Sequence, residues 1–420
     1  MVQRLSPRQI VILGANFGGI NLTHYLLRKT IPALSRLDAS QTYHVTLISP
    51  NDHYFFKIAA PRAMINETTI PANKIFKSIP RAIWQYGSQC TFIQGKAVGL
   101  APKERIVNIE QAAGSENRGL RYDSLFICTG TTSASPLWTL HGDHQISVDA
   151  MKDMHERLPK AKTVLIAGAG AVGVEAAGEI AAAFPEIKIT LVAGGDVLEK
   201  TKPATATKMK KILSNAGVEV ITNVRVNDTS EKENGANVEL SDGSTRLVDM
   251  FIDARGARKV NSEFLPKPWL DQFGRVVTLD TYFRVKGPSS PSDRQTPANT
   301  YVIGDIVSGS LNTAIEVDAQ IPVVASSFAV DVTTNLGQEK VATSNGWRLS
   351  WVPSPRARYL VQNEYKPMKD TILVPFGPGG GVGQVMGFQL SNFNVKQAKS
   401  ERFFLEFLEP AITGSRYSKA

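Results

Sequence analysis

Cysteine is scarce in this chain of 420 residues, which has only Cys90 and Cys128. The two are far apart and no Cys-x-x-Cys pair occurs, so the sequence argues against redox chemistry through a cysteine pair. The six histidines are scattered and show no zinc-binding spacing, so no metal site is predicted. Cys128 is expected to be a small packing residue, since a buried free cysteine behaves as a hydrophobe.

Long apolar segments are also missing. No run of 18 or more apolar residues appears, so no membrane-spanning helix is predicted. The first strand begins by Ile10, which leaves no room for a secretory signal peptide, and Val2 excludes an N-myristoyl anchor. These absences predict a cytoplasmic protein, with peripheral contact at a lipid droplet or mitochondrial membrane surface as the alternative.

The chain has no block of five or more lysines and arginines, although its net charge is +9. A scattered basic surface attracts anionic cofactors without the dense footprint of a nucleic-acid-binding protein. No nucleic-acid partner is therefore expected. The apolar fraction of 42% is ordinary for globular domains, and the length allows two or three of them.

Two glycine-rich turns are the strongest signal that is present. The first follows the apolar run 10–13 and the second follows the run 164–167. Each pattern is strand, turn and helix, the arrangement in which helix N-terminal amides hold a pyrophosphate. Two such units predict two bound dinucleotides, although a turn that only packs a helix on a strand is the structural alternative. The predicted phosphate-binding positions are Gly14, Asn16, Phe17, Gly18 and Gly19 in the first turn, and Gly168, Gly170, Val172 and Gly173 in the second.

The first turn departs from the usual pattern at Asn16, where a middle glycine is expected. Asparagine adopts left-handed backbone conformations more readily than most residues, so the turn is predicted to survive. An acidic residue normally holds the ribose at the end of the next strand, but Ser49 stands there, with Asp52 three residues on. The second unit has no clearly placed carboxylate at this point and has Lys200 and Lys202 nearby, so NADH and NADPH both stay open.

A third motif ends another strand with Gly304 and Asp305. The Asp305 carboxylate is predicted to accept a hydrogen bond from the ribityl chain of a flavin. A helix that opens near Ala314 would direct its N-terminal amides at the flavin ring. Alone, a Gly-Asp pair is as well explained by an ordinary turn after a strand. Beside two glycine turns it favours a flavin that accepts hydride from a nicotinamide.

The strand–turn–helix pattern occurs twice, which indicates an internal duplication and an α/β fold with two Rossmann-like dinucleotide-binding domains. The predicted divisions are an FAD-binding domain at 1–148, an inserted NAD(P)H-binding domain at 149–265, the rest of the FAD-binding domain at 266–345 and a C-terminal region at 346–420. The Pro- and Ser-rich stretch 286–298 is predicted to be a surface loop. Residues 399–408 place Phe403, Phe404, Phe407 and Leu408 on one helical face, which fits either the core or a membrane surface.

With these motifs, the chain resembles the apoptosis-inducing-factor-like group of two-dinucleotide flavoproteins, within the pyridine nucleotide-disulfide oxidoreductase superfamily. Within that group it resembles the ferroptosis-suppressor NAD(P)H–quinone reductases. The likeness runs nearly end to end and rests on Cys128-Thr129-Gly130, Gly173-Val174-Glu175, Tyr365-Lys366-Pro367 and Gly381-Val382-Gly383-Gln384. Asn16, Ser49 and Arg255, the last standing where a threonine is usual before Gly256, depart from the family pattern.

The resemblance implies FAD as cofactor, NAD(P)H as co-substrate and a quinone as electron acceptor, and it adds Thr129, Gly130 and Gly256 to the cofactor-binding positions. It also implies that Lys57 and Glu175 lie at the flavin ring as an ion pair, although a solvated Lys57 and a Glu175 that complements the helix dipole are the ordinary alternatives. Competing functions are a reductase for a protein or biosynthetic acceptor and a redox-signalling protein whose flavin state controls its contacts. The oligomeric state stays open.

Overall fold

The computed structural model of the chain describes residues 6–111, 117–232, 235–288, 295–335 and 359–418. Each of the four predicted divisions, and the centre of the predicted loop 286–298, lies partly outside these ranges. The division into domains at 148, 265 and 345 stays a prediction.

The N-terminal part of the chain alternates strands with short helices. Along the chain these are β1 (Arg8–Leu13), α1 (Phe17–Tyr25), α2 (Ile31–Leu37), β2 (Tyr43–Ser49), β3 (His53–Phe55), α3 (Ala60–Ala63), α4 (Ala72–Ile75), β4 (Phe76–Ser78), α5 (Ile79–Ile83), β5 (Cys90–Ala101), β6 (Ile106–Gln111), β7 (Arg118–Arg121), β8 (Ser124–Ile127) and β9 (Thr131–Ser133).

The middle part also contains a strand, a glycine turn and a helix in succession, followed by further strands. It consists of α6 (His144–Arg157), β10 (Thr163–Ala167), α7 (Ala171–Ala183), β11 (Lys188–Val192), α8 (Pro203–Asn215), β12 (Glu219–Ile221), β13 (Val226–Lys232), β14 (Gly235–Leu240), β15 (Thr245–Val248), β16 (Met250–Asp253) and β17 (Ala257–Val260).

The last part contains one long helix and a small sheet. Its elements are β18 (Thr300–Val302), α9 (Ala314–Asn335), β19 (Ile372–Pro375), β20 (Gly381–Val385), β21 (Phe388–Gln389), α10 (Asn392–Val395) and α11 (Leu408–Ile412). Helix α9 begins at the predicted residue and packs against α1.

Two parallel sheets form the centre of the molecule and confirm the predicted α/β fold. The first has the strand order β18-β8-β1-β2-β5-β6-β7, parallel as far as β5, and the second has the order β12-β11-β10-β16. In each sheet the strand before the glycine turn, β1 or β10, lies between two others. Strands in this position are covered on both faces, which explains why the runs 10–13 and 164–167 are wholly apolar and buried. The matching order agrees with an internal duplication.

A two-stranded ribbon joins the two sheets. Strand β9 leaves the first unit and pairs antiparallel with β17, which returns from the second. Asn261 fastens the ribbon: its side chain donates a hydrogen bond to the Thr129 carbonyl (2.9 Å), and its own carbonyl accepts one from the Thr129 hydroxyl (2.7 Å).

The C-terminal sheet packs on the second unit. Strand β19 contacts α7 and strand β20 contacts α8. The Gln384 side chain is buried, and its oxygen accepts hydrogen bonds from the Thr205 hydroxyl and the Lys202 amide at the start of α8. A Cβ on Gly178 of α7 would collide with the backbone of Phe376 and Gly377, so the glycine permits this close approach.

The predicted helix over 399–408 is wrong. A π-helical turn ends at Ser400, and Phe403 and Phe404 have positive φ angles of 49° and 59°, which no continuing right-handed helix allows. Phe403 and Leu408 are buried in the core, whereas Phe407 is 55% exposed. The four side chains therefore do not share one helical face.

None of the helices in the described ranges has the length and apolar character needed to cross a bilayer. Peripheral membrane contact, cytoplasmic location and the absence of a nucleic-acid partner stay predictions.

Candidate functional site

The first glycine turn forms a cradle between β1 and α1. Gly14 has a φ of +94°, and a Cβ there would collide with the carbonyl of Cys128. A Cβ on Gly19 would collide with the Gly14 carbonyl, so Gly19 allows α1 to pack directly on the turn. The backbone can therefore approach a ligand at the N-terminus of α1, where unpaired amides favour an anion.

Asn16 is held in this turn by a contact that the sequence did not reveal. Its φ is −88°, so the left-handed conformation that we expected to explain the residue is not used. Its side-chain oxygen accepts a hydrogen bond from the Phe55 amide, with a distance of 3.1 Å. Asn16 thus fastens the turn to β3, and its polar oxygen is already occupied.

A cleft of about 490 Å³ begins at this turn and is lined by most of the residues predicted to bind FAD. Its far end is formed by the segment before α9, including Asn312 and Thr313. The cleft offers amides at two helix N-termini and a narrow path between strand ends, which fits an extended dinucleotide. Of the predicted site residues, those that line it are Gly14, Asn16, Phe17, Gly18, Ser49, Lys57, Thr129, Gly130, Gly304, Asp305 and Ala314. Gly19 lies behind the turn.

The ribose position at the end of β2 has no carboxylate. Ser49 is buried, and its hydroxyl accepts a hydrogen bond from the Asn51 amide at 3.3 Å. Asp52 is not among the described residues that line the cleft, because its carboxylate bonds His53 instead. Hydroxyl and backbone groups therefore remain to hold a ribose there.

Asp305 and Lys57 form an ion pair in the cleft, with 3.6 Å between the lysine nitrogen and the carboxylate. The Asp305 side chain is only 17% exposed, and its backbone carbonyl accepts a hydrogen bond from Arg275. The same arginine donates to the side chain of Asn312 at 3.1 Å. Arg275, which the sequence analysis missed, therefore connects the Gly-Asp turn to the beginning of α9.

The second glycine turn repeats the geometry of the first. Gly168 has a φ of +108° and lies against the Ala254 carbonyl, and a Cβ on Gly173 would collide with the Gly168 carbonyl. A Cβ on Gly170 or on Gly256 would instead meet open space, and Val172 is 36% exposed. These residues are not among the described lining of the first cleft, and they surround the open N-terminus of α7. This edge can receive a second dinucleotide.

The proposed pair of Lys57 with Glu175 is not formed. Glu175 instead bonds Lys399 of the C-terminal region, with 2.5 Å between the ammonium and the carboxylate. Glu175 is buried, with 4% of its side chain exposed, and Lys399 is largely shielded, with 11% exposed. The lysine also donates to the Leu373 carbonyl at 3.1 Å. Burial raises the pKa of Glu175, and the Lys399 ammonium opposes that rise.

A second buried pair lies one turn further along α7. Arg62 of α3 donates two hydrogen bonds of 2.8 Å to the carboxylate of Glu179. Its guanidinium also bonds the Glu401 carbonyl and lies 4.6 Å from the centre of the Phe403 ring. The spacing of Glu175 and Glu179 was the only signal in the sequence, since it places two carboxylates on one face of a helix.

Neither cysteine is placed as a redox centre. Cys90 is buried on β5, and burial raises its pKa to about 12. Burial also raises the pKa of Cys128, which lies beneath the first glycine turn. A thiol with a raised pKa is a poor nucleophile, so electrons have no cysteine relay here.

Comparison with known proteins points to the same fold as the geometry. Residues 8–320 match the family described as pyridine nucleotide-disulphide oxidoreductase. The chain is 30% identical over 438 residues to the oxidoreductase phnG of Penicillium herquei, covering 99% of this chain and 98% of that protein. It is 26% identical over 401 residues to ferroptosis suppressor protein 1 of Mus musculus, covering 93% and 92%.

A solved structure shares the fold over the whole length. NDH2 from Plasmodium falciparum, determined in complex with NADH, has a TM-score of 0.62 at 16% identity and covers 99% of each chain. The water-forming NADH oxidase of Lactobacillus brevis has a TM-score of 0.58 at 16% identity and covers 75% of this chain and 68% of that one. At these identities the likeness shows the fold alone.

Proposed function

The chain belongs to the pyridine nucleotide-disulphide oxidoreductase family and is an NAD(P)H-dependent flavoprotein oxidoreductase, and we propose that its electron acceptor is a quinone. The observation that carries this proposal is that the two glycine turns offer two dinucleotide-binding sites, while neither cysteine lies where it could relay electrons. Electrons would then pass from the flavin to the acceptor without a cysteine relay, which suits a quinone. The 26% identity to ferroptosis suppressor protein 1 supports the apoptosis-inducing-factor-like subgroup, for which a quinone is the implied acceptor.

FAD, when bound in the cleft, would supply the redox chemistry between the nicotinamide and the acceptor. The amides at the start of α1 would hold its pyrophosphate, and Asp305 would accept a hydrogen bond from the ribityl chain. The N-terminus of α9 would present its positive end to the ring, which favours negative charge there. Lys57 adds a cation on the same side, since it already contacts Asp305.

The start of α7 would hold the pyrophosphate of NAD(P)H. Glu175 lies in the second turn of this helix and is fixed by Lys399 rather than free. Its role is therefore to position α7 and the C-terminal region, with the negative charge neutralised by the lysine. Alignment of the coenzyme against FAD is the main contribution that the protein makes to the rate.

Anaerobic stopped-flow measurement of the purified flavoprotein tests the acceptor. The visible flavin absorbance should bleach rapidly on mixing with NADH or NADPH and recover when a short-chain ubiquinone is added. Recovery with a protein carrier, and none with the quinone, would contradict the quinone proposal and favour the protein-acceptor alternative. A long-lived bleached complex that no acceptor restores would favour redox signalling.

Coenzyme choice is expected to depend on two residues beside the glycines that follow β11. The Glu199 carboxylate lies against Gly195, and the Arg225 side chain lies against Gly194. Lys202 does not contribute, because its ammonium lies beside Gly387. A carboxylate at this point binds ribose hydroxyls, whereas an arginine accommodates a 2′-phosphate.

Arg225→Ala should therefore lower kcat/KM for NADPH roughly tenfold more than for NADH. This difference corresponds to about 1.4 kcal/mol. Glu199→Gln should shift the ratio toward NADPH. Steady-state rates with both coenzymes give the ratio of kcat/KM for NADPH to that for NADH. Lys200→Ala, which removes a positive charge nearby, is the matched control. An equal loss for both coenzymes in Arg225→Ala would show that the arginine does not read the 2′-phosphate.

A further inference from the structure

Two identical Asp-His dipeptides, Asp52-His53 and Asp143-His144, face each other outside the cleft. The first lies at the beginning of β3. In the second, Asp143 caps α6 by accepting a hydrogen bond from the Gln145 amide, and His144 is the first helical residue. They are 91 residues apart in the chain, so no local pattern in the sequence brings them together. The structure juxtaposes four side chains that commonly ligate metal ions.

The four side chains converge closely. The Nδ1 atom of His53 is 2.6 Å from the Asp52 carboxylate, and the Nδ1 atom of His144 is 3.1 Å from Asp143 and 3.9 Å from Asp52. The two imidazole rings stack with 3.6 Å between their centres. The Nδ1 atom of His144 is shielded from solvent yet makes no hydrogen bond to any residue in the described ranges.

We propose that Asp52, His53 and His144 bind a divalent transition-metal ion, with Asp143 as the fourth ligand. Zinc bonds to nitrogen and oxygen are about 2.0–2.1 Å long, which places the ligand atoms of a tetrahedral site roughly 3.3 Å apart. The observed separations lie on both sides of that value, and the two stacked imidazole rings must turn out of their parallel arrangement for both nitrogen lone pairs to point at one ion. The ligand atoms of the first three residues all lie within 4.8 Å of one another.

The donor set identifies the kind of ion. Imidazole nitrogen favours zinc, nickel, cobalt or copper over magnesium and calcium, which prefer oxygen alone. Two carboxylates and two neutral imidazoles would balance a divalent charge. The histidine side chains are 25% and 24% exposed, so an ion can reach them from solvent.

The position of the site indicates what the ion would stabilise. Asn51, next to Asp52, donates a hydrogen bond to the carbonyl of Gly142, next to Asp143. Asn51 and Gly142 both line the FAD cleft. A bound ion would join the loop after β2 to the start of α6 and so hold together two segments that border the cofactor. This role is independent of the electron acceptor.

Zinc titration of the chelator-treated, flavin-containing full chain tests the proposal, with a chromophoric chelator as competitor. We expect one equivalent of Zn²⁺ to bind, and His144→Gln and His53→Gln to weaken binding at least about 100-fold. His44→Gln is the matched control, because His44 is a partly exposed histidine whose ring bonds the Ser88 carbonyl. Asp52→Asn provides a second variant should a histidine variant fail to fold.

Two further measurements separate a metal site from a structural histidine stack. Co²⁺ in place of zinc should give visible ligand-field absorption that His144→Gln abolishes. Zn²⁺ should raise the thermal midpoint of the wild-type protein and leave that of Asp52→Asn unchanged. Absence of stoichiometric binding, or equal zinc affinity in wild type and both histidine variants, would overturn the proposal.

Discussion

Replacement of Lys399 by methionine is expected to lower the free energy of unfolding by about 3–5 kcal/mol, because it leaves the Glu175 carboxylate buried without its cation. The methionine retains most of the apolar stem, so lost packing contributes little. Chemical denaturation of the flavin-containing protein, followed by far-UV circular dichroism, measures the effect. Lys366→Met is the matched control, since Lys366 is 82% exposed and pairs with the exposed Glu364.

The double variant that combines Lys399→Met with Glu175→Gln shows whether the stability comes from the ion pair or from side-chain packing. Removal of both charges should restore most of the lost stability, because an uncharged pair avoids the desolvation of an isolated carboxylate. If the double variant is as unstable as the sum of the two single variants, the pair has no coupling and the interpretation is wrong.

The loss in Lys399→Met should depend on pH in a defined direction. Burial raises the pKa of Glu175 and Lys399 opposes the rise, so removal of the lysine raises the folded-state pKa further. The folded state then binds a proton that the unfolded state releases above the ordinary glutamate pKa of about 4.3. Stability of the variant relative to wild type therefore falls as pH increases through this window. The destabilisation should be smallest below about pH 4.

Gly170→Glu is expected to lower kcat/KM for NAD(P)H by roughly 100-fold while the flavin content stays unchanged. A side chain at this position meets open space, and the φ of −75° is accessible to any residue. The substitution therefore places a negative charge at the start of α7 without steric conflict. Repulsion of a phosphate at about 4 Å costs about 4 kcal/mol at an intermediate dielectric constant, of which about two-thirds, roughly 2.7 kcal/mol, would give this loss.

The matched control for this charge is Gly170→Gln, which has the same size and shape. Steady-state rates at several coenzyme concentrations and the ratio of flavin to protein absorbance provide both readouts. The glutamine variant should stay within about threefold of wild type, which corresponds to less than 1 kcal/mol. A loss of equal size in both variants would mean that shape, rather than charge, governs the site.

The fold was predictable because its signals are local. Each parallel strand is a short apolar run, and each glycine turn follows such a run directly, so a window of a few residues contains the evidence. The helix at Ala314 was predictable for a similar reason, since Thr313 and Glu316 stand at the spacing of a helix-capping box. The amide of Glu316 does bond the Thr313 hydroxyl at 3.3 Å.

The charged pairs were not predictable because their partners are distant in the chain. Glu175 and Lys399 are 224 residues apart, and nothing near either residue specifies the other. The orientation of Asn16 depends likewise on Phe55, 39 residues away. The apolar spacing of 399–408 led to a wrong prediction for a different reason. Its local pattern is typical of a helix, but packing of Phe403 in the core overrides that pattern.

The C-terminal sheet is the last part of the chain to join the two parallel sheets. The ribbon of β9 and β17 and the contact of α3 with α7, which includes the pair of Arg62 with Glu179, already link the two units without it. Strands β19 and β20 then pack on α7 and α8, and Lys399 adds its ion pair with Glu175. Because chains fold from the N-terminus during synthesis, both parallel sheets are complete before this C-terminal sheet emerges. The last part of the chain therefore adds the closing contacts to two units that are already connected.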